Sequence, residues 1–182
     1  KFTSLPEFNA ALKQFNIVAD RGKEEGRIYM NRGMVYRILN DTGNKVGVPI
    51  KASSISCKPI LDNLEKKFTA NEVAKESLKP FVKIKLDDCL SQSPSTMKEL
   101  TEQLKQKNIY TVLRQNTEGR LFGITFVDNQ NKVVFNGSDL GKGYSAAALQ
   151  SKLVVGTEKS LSNEETKGSG SGSSIKNKKE MG

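Results

Sequence analysis

The chain contains no histidine and no tryptophan, and only two cysteines, Cys57 and Cys89, among its 182 residues. Without imidazole there is no Ser-His-Asp or Cys-His nucleophile system, no imidazole general base and no histidine-bearing zinc, iron or copper site. Two cysteines are too few for an all-cysteine zinc site and do not suggest a secreted disulfide scaffold, so two free thiols in a reducing compartment are expected. No metal and no cofactor is expected. No run of about 18 apolar residues occurs, which argues against membrane insertion. The first residue is Lys1, with no charged-then-apolar leader after it, and the chain reads as a piece of a longer cytosolic protein. What is abundant is positive charge. There are 29 Lys and Arg against 20 Asp and Glu, a net +9, which speaks about partners more than about fold.

The body carries an internal repeat. Ser4-Leu5-Pro6-Glu7-Phe8 through Leu12-Lys13-Gln14-Phe15-Asn16-Ile17 matches Thr96-Met97-Lys98-Glu99-Leu100 through Leu104-Lys105-Gln106-Lys107-Asn108-Ile109 at a constant offset of 92. Each copy opens with a capping box, Ser4 with Glu7 and Thr96 with Glu99, in which side chains satisfy the free amides of a helix start. Apolar residues at i, i+3 and i+7 then build one helical face: Leu5, Phe8, Leu12 and Met97, Leu100, Leu104. Strand-like landmarks follow in the same order. Glu25-Gly26-Arg27 answers Glu118-Gly119-Arg120, Gly33-Met34-Val35-Tyr36 answers Gly123-Ile124-Thr125-Phe126, and Asn44-Lys45-Val46 answers Asn131-Lys132-Val133. The offset falls from 93 to 90 to 87, so the first copy carries short insertions near its turns.

The second copy reads as strands over 109–115, 120–127 and 132–136, with Phe122, Ile124 and Phe126 alternating onto one face. Each unit is thus a helix followed by a three-stranded antiparallel meander. One such unit leaves an apolar sheet face bare, so the two are expected to cover each other. Between them, Ile60–Phe68 and Ser77–Leu90 read as helices. Pro80 lies in the first turn of the second, and Phe81, Val82, Leu86, Cys89 and Leu90 form its buried stripe. A short helix over Tyr144–Leu153 closes the body. The expected fold is α+β: a first repeat at 1–57, a helical connector at 58–93, a second repeat with closing helix at 94–155, and a disordered Gly/Ser/Lys-rich tail at 156–182.

The stretch Asn136-Gly137-Ser138-Asp139-Leu140-Gly141-Lys142-Gly143-Tyr144-Ser145 invites comparison with a phosphate loop and fails it. Three residues rather than four separate Gly137 from Gly141, Gly143 follows Lys142, and the preceding strands are antiparallel. Two readings remain: a strand-to-helix turn that needs positive φ at glycine, or backbone amides and Lys142 presented to a nucleic-acid phosphate. Four of the six arginines fall between Arg21 and Arg37, with Tyr29 and Tyr36 interleaved, while Arg114 and Arg120 flank the corresponding hairpin of the second copy. Arginine beside aromatic rings on a sheet suits a phosphate backbone or stacked single-stranded bases, or is a solvated sheet face. The pair Asp87-Asp88 sits on one helix, where neighbours do not face each other, and Glu164-Glu165 lies in the tail. No catalytic residue is expected.

Several blocks resemble the region downstream of the nicking domain in bacterial mobilisation relaxases, the nucleases of conjugative and mobilisable elements. They include Phe15-Asn16-Ile17-Val18-Ala19-Asp20-Arg21-Gly22-Lys23, Gly33-Met34-Val35-Tyr36-Arg37 and Val46-Gly47-Val48-Pro49-Ile50-Lys51-Ala52-Ser53-Ser54. In the second copy they are Val112-Leu113-Arg114-Gln115-Asn116, Gly123-Ile124-Thr125-Phe126-Val127-Asp128 and Val134-Phe135-Asn136-Gly137-Ser138-Asp139-Leu140-Gly141-Lys142-Gly143-Tyr144-Ser145. The resemblance spans residues 3–150. It implies a parent enzyme that nicks DNA with a tyrosine and a histidine-held metal, then passes through a type IV secretion channel by way of a coupling protein. With no histidine, none of the nicking residues carries over. The implied function is a non-catalytic accessory domain in plasmid mobilisation that binds single-stranded or transfer-origin DNA, carries the translocation signal, or both. The implied location is the bacterial cytoplasm, with transfer to a recipient cell alongside DNA. Candidate DNA contacts are Arg21, Lys23, Arg27, Arg32, Arg37, Lys51, Arg114, Arg120 and Lys142. The alternative is a docking module for the coupling protein or relaxosome proteins, without DNA contact.

Overall fold

Two three-stranded antiparallel sheets, each preceded by a capped helix, make up the computed structural model, which describes residues 1–153. The chain runs α1 (Leu5–Lys13), β1 (Ile17–Asp20), α2 (Arg27–Met30), β2 (Val35–Leu39) and β3 (Lys45–Lys51), then a 3-10 turn (Ala52–Ser54). It continues as α3 (Leu61–Glu76), α4 (Lys79–Ser91), α5 (Met97–Gln106), β4 (Ile109–Gln115), β5 (Leu121–Asp128), β6 (Val133–Asn136), α6 (Gly137–Leu140), a second 3-10 turn (Lys142–Tyr144) and α7 over residues 146–153. The fold is α+β. The Gly/Ser/Lys-rich tail expected over 156–182 lies outside the described residues. Among those described, no helix is long and apolar enough to cross a membrane.

The repeat holds at the level of single hydrogen bonds. Ser4 and Thr96 each accept from the amide three residues on, while Glu7 and Glu99 reach back to the amides of Thr3 and Ser95 at 2.8 and 2.7 Å. Each helix then ends on an asparagine in the left-handed region, Asn16 (φ 55°) and Asn108 (φ 61°). Those two carbonyls accept from Leu39 and Asn129, closing each meander in the same way. Strand pairing follows the offsets of 92, 90 and 87: Ile17–Ile38–Val46 in the first sheet answers Ile109–Asp128–Val133 in the second.

Past that point β3 carries a bulge at Gly47 (φ 69°), and the offset becomes 85, pairing Tyr36–Ile50 with Phe126–Phe135. The same offset then carries Ala52 onto Gly137 and Leu61, Leu64, Phe68 onto Ala146, Leu149, Leu153, so the repeat includes the helix after each meander.

Five expectations need correction. The segment Glu25-Gly26-Arg27 does not turn a hairpin like Glu118-Gly119-Arg120; Gly26 caps the one-turn α2, inside a long connection between β1 and β2. In β5, Arg114 pairs with Gly123 and Gln115 with Leu121, so Phe122 is the unpaired bulge residue. Leu121 thereby joins Ile124 and Phe126 in the core, and Phe122 is exposed. Phe81 is exposed as well, while Val82, Leu86 and Cys89 are fully buried, and α3 runs on to Glu76 rather than stopping at Phe68. The sheets, finally, do not cover each other directly.

Helix α1 does the joining. Its Leu5, Phe8 and Leu12 pack with Ala19, Tyr36 and Leu64 of the first repeat. Its other side presents Ala10 and Ala11, whose small side chains let it approach Val112, Val127 and Val134 on the outer face of the second sheet. Glu7 lies on that same side, buried, and accepts from Lys75 of α3 at 2.5 Å. Residue 1 also extends the second sheet, since Val134 donates to the Lys1 carbonyl.

Candidate nucleic-acid interface

The long connection between β1 and β2 holds most of the arginines, and the fold assigns them different work. Arg21 stacks its guanidinium 3.9 Å from the centre of the Tyr29 ring and donates to the Tyr29 carbonyl at 3.2 Å, pinning α2 to the end of β1. Arg37 donates to Asp20 Oδ2 at 3.0 Å beside Lys45 at 2.8 Å. Burial pushes the Asp20 carboxyl up, but hydrogen bonds from Lys45, the Gly22 amide and Arg37 outweigh it and hold the group below the usual carboxylate range.

Because that pKa is lowered on folding, the stabilisation is present above the ordinary aspartate pKa and is lost as pH falls through the lowered value. Asp20→Asn is therefore expected to destabilise the protein by about 1 kcal/mol at neutral pH, with the difference shrinking below about pH 4. Urea midpoints at pH 7 and pH 3 check this.

Arg27, Arg32 and Lys51 converge. With Asn31, Ser53 and Asp62 they line an open cleft of about 680 Å³ at the junction of α2, β3 and α3. The turn after α2 puts Arg32 in the left-handed region (φ 51°), and its guanidinium donates to Asp62 at 2.8 Å and Glu65 at 2.5 Å. Arg27 and Lys51 form no ion pair among the described residues, so the cleft keeps two uncompensated cations beside a fixed one. Lys23 stands apart in a shallow groove with Glu24 and Glu25.

In the second repeat, Arg114 donates to Thr125 Oγ1 and Asn136 Oδ1, both at 3.2 Å. With Lys13 and Lys45 it lines a groove of about 390 Å³ between the repeats. Arg120 is exposed in the β4–β5 hairpin. Lys142 is exposed on the glycine turn, where Gly141 takes φ 132°, as the turn reading of that stretch requires. Two lysines that sequence reading missed join it there: the Nζ atoms of Lys83 and Lys152 lie 5.7 and 5.6 Å from the Tyr144 ring centre. They come from α4 and α7, and no local pattern links them.

The tyrosines are engaged. Tyr36 donates its hydroxyl to the Pro59 carbonyl and Tyr144 donates to Asp87, both at 2.8 Å. Burial, reinforced by Cys57 for Tyr36 and by Asp87 for Tyr144, pushes both phenols up to about 12. Neither is set up as a nucleophile, and neither offers a free ring for base stacking. The exposed rings are instead Phe15, Phe81 and Phe122, the last two residues from Arg120.

Comparison of the chain with protein-family models, with curated proteins and with solved structures finds no match.

Proposed function

We propose that this chain is a non-catalytic accessory domain of a DNA relaxase that binds single-stranded DNA near the transfer origin, and that it belongs to the region after the nicking domain. The observation that carries the reading is the convergence of Arg27, Arg32 and Lys51, distant in sequence, on one open cleft. A phosphate seated there meets two cations that no carboxylate pairs among the described residues, and a third held in place by Glu65 and by Asp62, which itself lines the cleft. The Lys83, Lys142 and Lys152 group and Arg120 beside exposed Phe122 supply further backbone and stacking contacts on the second repeat. Carrying the secretion signal is the other half of the proposal, tested by asking whether the segment moves a fused reporter into recipient cells.

Binding is tested by fluorescence anisotropy with a labelled single-stranded oligonucleotide from the transfer origin. Binding at low salt is expected, weakening steeply as salt rises because each phosphate contact releases counterions. Replacing Arg27 and Lys51 together with alanine should lower the slope of log affinity against log salt by about 1.4, about 0.7 for each lost contact on a single strand. Absence of binding at low salt would overturn DNA contact by this segment.

A further inference from the structure

The two repeats are built alike but are not covered alike. In the second, α4 lays Val82, Leu86 and Cys89 into one buried cluster with Leu100, Leu104, Phe126, Val133 and Phe135. Its Lys85 holds Asp128 at 2.9 Å, and its Asp88 holds Lys107. The positions answering Asp128, Val133, Phe135 and Lys107 in the first repeat are Ile38, Val46, Ile50 and Phe15. Asp128, Val133 and Phe135 are 0, 1 and 0 % exposed; Ile38, Val46 and Ile50 are 56, 40 and 51 % exposed, and Phe15 is 71 % exposed. The first repeat has its own counterpart of α5, which is α1, and of α7, which is α3. It has none of α4 among the described residues.

We propose that this bare face is the docking site for an amphipathic helix from another polypeptide segment, seated on the first repeat as α4 is seated on the second. The chemistry of that helix follows from the differences between the faces. Its buried stripe keeps the spacing of Val82, Leu86 and Cys89. Where α4 offers Lys85 to Asp128 and Asp88 to Lys107, the incoming helix meets Ile38 and Phe15 and must be apolar at both places, because a charge buried there would have no partner. Residues 1–60 carry ten Lys and Arg against five Asp and Glu, so the solvent side of the helix is acidic. A second copy of the chain fits less well. Pairing β3 with itself in antiparallel fashion brings Lys45 against Lys51, and Pro49 and the Gly47 bulge break the edge.

The test uses the whole chain and synthetic peptides spanning residues 77–92. One peptide is unaltered, one carries Lys85→Leu and Asp88→Leu, and a third adds Lys79→Glu and Lys83→Glu. The Leu-bearing peptides are expected to bind saturably, with amide shifts at Ile38, Val46 and Ile50. The unaltered peptide should bind at least about tenfold more weakly, the equivalent of about 1.4 kcal/mol for burying its charges unpaired. The Glu-bearing peptide should bind most tightly at low salt and lose that advantage at high salt. An Ile38→Glu/Ile50→Glu chain, confirmed folded by its circular dichroism melt, should lose the binding. Three results would each overturn the proposal: no saturable binding of either Leu-bearing peptide, equal binding to the Glu-substituted chain, or a dimer of the unmodified chain that those two substitutions dissociate.

Discussion

Replacing Glu7 with alanine should destabilise the protein by about 3–5 kcal/mol, because it leaves the Lys75 ammonium buried without its anion. Glu7 and Lys75 side chains are 2 and 7 % exposed, and the carboxylate collects four donors: Lys75 at 2.5 Å, the Thr3 amide at 2.8 Å, the Thr3 hydroxyl at 3.1 Å and Asn136 Nδ2 at 3.4 Å. The ammonium also donates to Thr3 Oγ1 and lies 4.9 Å from the Phe135 ring centre. This one group therefore ties α1, α3 and the second sheet together.

The matched residue of the second repeat supplies the control. Among the described residues Glu99 serves only its helix cap, on an exposed surface, so Glu99→Ala should cost about 1 kcal/mol, the ordinary value of a cap. Equilibrium denaturation of the two variants measures the difference. A chain with both Glu7→Leu and Lys75→Met should recover most of the loss, since an apolar pair needs no counter-charge. Equal cost for Glu7→Ala and Glu99→Ala would mean that the buried pair contributes nothing beyond the cap.

That contrast also marks how far the sequence could be read. The capping boxes and the offsets of 92, 90 and 87 are local patterns, and helix capping and strand pairing reproduce them as far as the Gly47 bulge. The two-sidedness of α1 was missed, although it has a mark in the sequence. Glu7, Ala10 and Ala11 stand where the second copy has Glu99, Glu102 and Gln103, and only small residues beside one carboxylate make a face that can be buried twice.

The β5 bulge left no such mark, because Leu121 and Phe122 are both apolar and alternation alone cannot tell which one is skipped. The cleft was half legible. Its arginines stood out by density, but which of them stay free depended on Asp20, Tyr29, Asp62 and Glu65 claiming Arg37, Arg21 and Arg32 through the fold. Lys83 and Lys152 beside Tyr144 were not legible at all, since helices far apart in sequence bring them there.

Gly137→Ala should destabilise the protein by about 3 kcal/mol, at the upper end of overpacking costs, because the added methyl has nowhere to go. A Cβ there would stand 2.1 Å from the Tyr144 carbonyl oxygen and 2.6 Å from Ile124 Cγ2, and the first of these is backbone. The matched position of the first repeat is Ala52, which is 1 % exposed and fits without strain. The difference lies in a hydroxyl. Tyr36, which answers Phe126, donates to the carbonyl of Pro59, the residue that answers Tyr144, and so holds the returning chain off the sheet at hydrogen-bond distance. Phe126 has no such group, the chain closes onto the sheet, and only glycine fits beneath it.

Ala52→Gly is accordingly expected to cost only about 1 kcal/mol. Phe126→Tyr alone should also destabilise, since its hydroxyl enters a fully buried core with no room made for it. Combined with Gly137→Ala, the same hydroxyl gains the Tyr144 carbonyl as its acceptor once the chain stands off. The double variant should then lose at least about 0.5 kcal/mol less than the two single losses together, as coupled neighbours do. Thermal and urea unfolding of the four proteins in this cycle decide it. Strict additivity would mean that the hydroxyl does not set the spacing.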